Sequence, residues 1–311
     1  MNKKLIVIIS VILALTVALG VAIGIYLGTK EDISYTVNDT LPDGEGKRAT
    51  VILLAGQSNA AGCSKDEYLK KNVSEEKYAE YEAGYDNVYI NYFASGNNMS
   101  NGFVKCSVRQ GEMGECFGPE LGLAEYLNET FPNQTFFIIK YAWGATSLYD
   151  NWLSPTSKGK TGTLYKHFVE YVNTSLEYLV SKNYNIEIEG LCWMQGESDS
   201  FSTNDGEQYD TRLLNFLSDV RCEFAPYESS DGIAFVDAYI ADNPIFWVYC
   251  DLVNESKKNV AESSPMNVVV DTFDLTTALE PIDQPDIAHY DSLSELELGR
   301  RFGENVSAFF D

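Results

Sequence analysis

Histidine is nearly absent from this chain: His167 and His289 are the only two in 311 residues. Any chemistry that needs an imidazole base must use one of them. Basic residues are also scarce, with 22 Lys and Arg against 46 Asp and Glu. The formal charge of −24 excludes nucleic acid as a partner and disfavours anionic membrane surfaces, because both need a cationic footprint that releases counterions. The six cysteines, Cys63, Cys106, Cys116, Cys192, Cys222 and Cys250, include no C-x-x-C pair or other zinc-ligand spacing, so no metal site is expected. No repeat of about 20 to 50 residues recurs, which excludes solenoids and propellers.

What remains is the composition of an ordinary globular protein, 45% hydrophobic and 22% charged. Lys3 and Lys4 precede an uncharged, mostly apolar run from Leu5 to Gly28, long enough to cross a bilayer. Residues 1–28 are therefore expected to be a transmembrane anchor or a signal segment, and the rest to be extracytoplasmic, either anchored at the cell surface or secreted. Residues 29–47 are polar with Gly and Pro and read as a tether, and the fold is expected over 48–311. In an oxidising compartment Cys106 and Cys116 are the first expected disulfide, and N-x-S/T triplets such as those at Asn128, Asn133 and Asn173 would accept glycans in a eukaryotic secretory route.

Apolar runs of strand length recur at Ala49–Ala55, Asn87–Phe93, Thr135–Ala142, Ile186–Met194, Gly232–Tyr239 and Met266–Asp271. Several are almost continuous Val, Ile, Leu or Phe, the pattern of strands buried on both faces of a parallel sheet. Helical patterns lie between them at Pro119–Glu129, Thr163–Lys182, Gln208–Phe224, Pro244–Glu262 and Ser292–Phe310. The alternation predicts an α/β fold, a three-layer α/β/α sandwich with a parallel sheet. In such folds ligands bind outside the carboxyl ends of the strands. Those ends carry Gly56-Gln57-Ser58-Asn59, Gly144-Ala145-Thr146 and Gln195-Gly196-Glu197-Ser198-Asp199, and a late loop carries Asp286-Ile287-Ala288-His289.

A serine becomes nucleophilic when a base, usually a histidine oriented by a carboxylate, takes its proton. His167 falls off the apolar stripe of its helix, formed by Leu164, Phe168, Tyr171 and Leu179, and is expected at the surface or edge. His289 sits in a loop ahead of the last helix, with Asp286 three residues upstream, and is the better base. Ser58 follows a buried strand and a glycine, so its hydroxyl should emerge at the sheet edge near backbone N–H groups; a plain helix N-cap is the competing role for it. Glu197 is an alternative partner for His289, although Glu197 and Asp199 read better as loop ties. Trp143, Trp152 and Trp193 offer sugar-stacking faces or, as the more ordinary role, core.

Gly56-Gln57-Ser58-Asn59, Phe117-Gly118-Pro119-Glu120, the Lys140–Thr146 stretch, Trp193-Met194-Gln195-Gly196-Glu197-Ser198-Asp199 and Asp286-x-x-His289, in this order, resemble the carbohydrate esterase family six and sialate O-acetylesterase branch of the SGNH hydrolases. The resemblance spans Arg48 to Phe310. It implies a flavodoxin-like sheet and hydrolysis of acetyl esters on sugars through an acyl-enzyme, with no cofactor and no metal. It also implies Ser58 as nucleophile, His289 as base and Asp286 as its orienting carboxylate. The backbone N–H groups of Ser58 and of Gly118 or Gly144, with the Gln195 side chain, are the implied oxyanion donors. Gln57, Asn59, Glu120, Thr146, Glu197 and Asp199 are the supporting or substrate-binding candidates. Ala60 and Ala145 depart from the family pattern, which commonly has Met and Gly there. The expected substrate is an acetylated, xylan-like polysaccharide. Alternatives are a sialate O-acetylesterase, a catalytically silent carbohydrate-binding surface protein, and a lipase or thioesterase, the last disfavoured because no long apolar acyl channel is recognisable.

Overall fold

A computed structural model describes residues 34–310. The expected anchor or signal segment lies outside them. Among the described residues no helix is long and apolar enough to cross a membrane.

The strands, in chain order, are β1 (Arg48–Gly56), β2 (Ser64–Lys65), β3 (Val88–Ala94), β4 (Asn98–Met99), β5 (Val104–Lys105), β6 (Cys116–Phe117), β7 (Phe136–Ala142), β8 (Asn185–Met194), β9 (Ala234–Ala238) and β10 (Asn267–Val270). The main sheet runs β10-β9-β8-β1-β7-β3, all parallel, with β4 and β5 added antiparallel to β3. Read without β3, the order β7-β1-β8-β9-β10 is the 2-1-3-4-5 winding of flavodoxin, and β3 extends its outer edge. The winding reverses between β1 and β8, so the crevice at their carboxyl ends is where a ligand is expected. From Ala49 onward β1 is buried on both faces, and all of β7 is too, which explains why both read as continuous apolar runs rather than as alternation.

Helices α1 (Ser58–Ala61), α2 (Asp66–Asn72), α3 (Glu75–Ala83), α4 (Glu120–Thr130), α5 (Thr163–Ser181), α6 (Thr203–Glu207), α7 (Tyr209–Phe224), α8 (Cys250–Glu262) and α9 (Ser292–Val306) complete the described layers. On one face Phe168 of α5 and Phe216 of α7 close on Trp152 and Trp193, whose rings meet edge-on at 5.1 Å. On the other face α4 and α9 cross in backbone contact: a Cβ on Gly122 would lie 1.9 Å from Leu296 O, and one on Gly299 2.0 Å from Pro119 O. Only glycine permits that approach, which seats α9, and the loop that feeds it, against the helix following Phe117-Gly118-Pro119.

Three expectations change. The tether is in part structure: Leu41 is buried, the Tyr35 hydroxyl meets that of Tyr141 at 3.2 Å, and the Tyr35 ring packs on Phe93 and Tyr171. His167 is buried rather than at the surface, because Tyr35 covers that edge of α5. Cys106 and Cys116 are free thiols, as are the other four cysteines; the Cys106 sulfur turns to Glu120 O at 3.4 Å. Trp143, Trp152 and Trp193 are all buried and take the more ordinary role expected for them, core.

Candidate active site

Leaving β1, the chain must turn sharply beside β8. Gly56 has φ +142°, and a Cβ there would lie 2.0 Å from Met194 O. The turn delivers Ser58 to the first position of α1, partly exposed between buried Gln57 and Asn59. No side-chain cap bond forms at this helix start, so Ser58 does not act as the cap that its residue type suggests. Ala60 and Ala61 both donate to Gln57 O. The Ser58 amide precedes these bonds and is one of the donors that a helix start leaves free.

His289 is held three residues ahead of α9, whose N-cap is Asp291, accepting from Ser294 N at 2.8 Å. Its Nδ1 lies 2.7 Å from Asp286 Oδ2, while Asp286 Oδ1 accepts the Ala288 and His289 amides at 3.1 and 3.2 Å. The carboxylate thus fixes both the loop and the imidazole tautomer, with Nδ1 donating and Nε2 left as the basic atom. Burial works against charge on His289, but the hydrogen bond and charge of Asp286, together with Glu112 and Glu197, outweigh it and raise the imidazole above its ordinary pKa of 6.5. Burial likewise works against charge on Asp286, and its bonds to His289 and the loop amides still hold it below the usual carboxylate value.

The two halves are latched at Tyr290. Asn59 Oδ1 accepts its amide at 3.4 Å, and Ser64 Oγ donates to its carbonyl at 2.8 Å. Asn59 Nδ2 meanwhile donates to Glu197 Oε1 at 2.9 Å. Asn59 therefore ties α1 to the histidine loop, and Glu197 supports Asn59 rather than His289. The other Glu197 oxygen is buried without a partner, and burial raises this carboxyl group's pKa.

Three expected oxyanion donors are committed elsewhere. The Gly118 amide donates to Glu120 Oε1 at 2.8 Å and the Gly144 amide to Ser95 Oγ at 3.0 Å. The fully buried Gln195 amide donates to Asp199 Oδ2, Thr146 O and Gln57 Oε1 at 2.7, 2.9 and 3.3 Å, and its oxygen accepts from Tyr209. A donor already saturated by a buried acceptor is not available to a transition state. Gln57 differs. Its oxygen accepts from Gln195 and the Ser198 amide, which leaves its amide nitrogen uncommitted beside Ser58.

Three other candidates are supports. Asp199 joins the loop after β7 to the end of β8 by accepting Leu148 N and Tyr149 N, and burial pushes its pKa up to about 6. Thr146 donates to Trp143 O and accepts from Trp152. Glu120 pairs with Lys140 at 2.5 Å, both wholly buried, and so fixes the Phe117–Glu120 turn.

Motif reasoning missed Glu112. This residue lies on the loop before β6, and its amide donates to Gly62 O at 2.8 Å. Its Oε2 accepts the Cys63 thiol at 3.0 Å, and its Oε1 would lie 3.2 Å from a Cβ on Gly144. Burial and Glu112 keep Cys63 protonated, so the sulfur serves as a donor. No local pattern marks Glu112 in the sequence; the antiparallel pairing of β2 with the distant β6 brings it to the turn after Ser58.

Among the described residues no group of side chains is arranged to hold a metal ion. A model of the family described as carbohydrate esterase, sialic acid-specific acetylesterase, matches residues 48–308. A solved structure of a protein from Arabidopsis thaliana shares 17% identity over 87% of this chain and 100% of its own, with a TM-score of 0.61. NanS shares 16% over 89% and 99%, also at 0.61. A carbohydrate acetylesterase from Xanthomonas citri shares 15% over 83% and 56%, at 0.56. At such identities the likeness is one of fold. No functionally curated protein sequence matches. The family match takes in both the Gln57-Ser58 turn and the Asp286–His289 loop, and on it the chain belongs to the sialic acid-specific acetylesterase family of carbohydrate esterases.

Proposed function

We propose that the protein is a carbohydrate O-acetylesterase acting on an acetylated, xylan-like polysaccharide through Ser58, His289 and Asp286. The observation that carries this reading is the Asp286–His289 pair at 2.7 Å, latched through Tyr290 to the helix that begins with Ser58. Ser58 Oγ attacks the acetyl carbonyl carbon while His289 Nε2 takes the hydroxyl proton. The tetrahedral oxyanion collapses, the sugar oxygen leaves with the proton returned by His289, and an acetyl-serine remains. A water activated by the same imidazole then releases acetate. The Ser58 amide and the Gln57 side chain are the uncommitted donors for the oxyanion. A sialate ester is the second reading, favoured by the family description.

Acetate release from acetylated xylan and from a chromogenic acetate tests the proposal. Wild type should turn over both, and Ser58→Ala and His289→Ala should each lose about 10³-fold or more in kcat. A folded wild type that hydrolyses neither substrate would overturn it.

A further inference from the structure

Three carboxylates surround the candidate reacting atoms. Asp286 holds His289, Glu197 lies behind Asn59, and Glu112 faces the Ser58 turn, the Gly144 loop and the His289 ring from a third side. Several cations of the fold are already paired. Lys140 is paired with Glu120, Lys257 with Asp237 at 2.6 Å, Arg109 with Asp66, and Arg212 with Asp205. Lys65 lines a groove with Cys63, Tyr68 and Asp286, on the side of the catalytic loop where Glu280 and Asp291 also lie, and Lys71 lies over the Tyr68 ring.

Glu112 has no structural debt that would explain a carboxylate there. Its single side-chain hydrogen bond comes from a thiol, a weak donor, and its amide, not its side chain, secures the loop. The glycine at 144 leaves the space into which Oε1 projects. A carboxylate kept at a reacting site without an ion-pair partner repels an anionic substrate, and like charges brought together at a binding site cost enough to set specificity. A carboxylate oxygen is also an acceptor that an uncharged sugar's hydroxyl can satisfy.

We infer that Glu112 is a specificity-determining residue that restricts this site to acetyl esters of uncharged sugars and excludes those bearing a carboxylate, sialic acids included. The inference rests on the esterase reading above. Two substrates differing only in charge test it: an O-acetylated methyl glucuronoside and its uncharged carboxamide, with a chromogenic acetate run alongside. Wild type should favour the carboxamide in kcat/KM by at least about tenfold. Raising the ionic strength should narrow that ratio in wild type, and Glu112→Gln should narrow it by raising the rate on the anion relative to the amide. Equal rates on the two sugars would overturn the inference, as would a ratio unmoved in a Glu112→Gln protein that still hydrolyses the amide. A preference for the anion that disappears in Lys65→Ala would do so too, and would assign carboxylate recognition to the groove. Loss of the chromogenic activity in wild type would instead refute the esterase reading itself. Hydrolysis of the chromogenic acetate with no turnover of either sugar would overturn the sugar specificity inferred here while leaving a serine esterase.

Discussion

At the level of single residues the proposed site is one base, His289, one carboxylate orienting it, Asp286, and two more carboxylates, Glu112 and Glu197, whose charge helps raise the imidazole pKa. A general base works only when neutral, so a raised imidazole pKa moves the acid limb of the pH profile upward. The limb in kcat/KM should therefore fall above pH 6.5, with activity lost as pH drops through it. Removing a negative neighbour favours the neutral ring, so Glu112→Gln should shift the limb to lower pH. A pH–rate profile of the two proteins on an uncharged chromogenic acetate checks this, and an unmoved limb would place Glu112 too far from His289 to act on it. The pair Asp286–His289 was legible in the sequence because its geometry is local, three residues within one loop. The oxyanion donors were not. Whether an amide at 118, 144 or 195 is free depends on Glu120, Ser95, Asp199 and Thr146 reaching it, and those partners are fixed by how loops meet.

At the level of elements, the six parallel strands and the helices at 119–129, 163–182 and 208–224 lie within two residues of their expected bounds, since burial on both sheet faces and amphipathic spacing both leave a mark. Helix α8 begins at Cys250 instead of Pro244, the intervening residues forming turns. The two helices at 66–83 were not read at all, because their buried faces rest on Leu69, Tyr78 and Tyr81 amid a run of charges rather than on an aliphatic stripe. What holds the Phe117–Glu120 turn is the buried Lys140–Glu120 pair, where Lys140 also donates to Gln110 O at 3.1 Å. Removing one member of such a pair strands a charge. Lys140→Met should destabilise the fold by about 3 to 5 kcal/mol, and adding Glu120→Leu should recover much of that loss. Urea midpoints of the single and double variants decide it; additive losses would mean that the pair is not the element's support.

At the level of the whole molecule, the described fold begins before the residues that carry the family likeness. Thr40 and Leu41 donate their amides to the Tyr178 hydroxyl at 3.0 and 2.9 Å, and Asn38 bonds to Asn101 O at 2.7 Å. Leu41 is buried and the partly buried Tyr35 ring packs against the core, so the strap should contribute to stability. Cutting the chain at Arg48 should lower stability by about 2 to 4 kcal/mol relative to a cut ahead of Tyr35, read as a drop in the urea midpoint with little change in slope. Equal midpoints would reduce the strap to a surface contact.

A module delimited by likeness to relatives would start at residue 48. Trimmed there, it would present the aromatic floor of Tyr141, Tyr171 and Phe93 to water. Such a fragment invites aggregation, and its silence in an assay would be mistaken for a missing enzyme when what is missing is a single strap of chain.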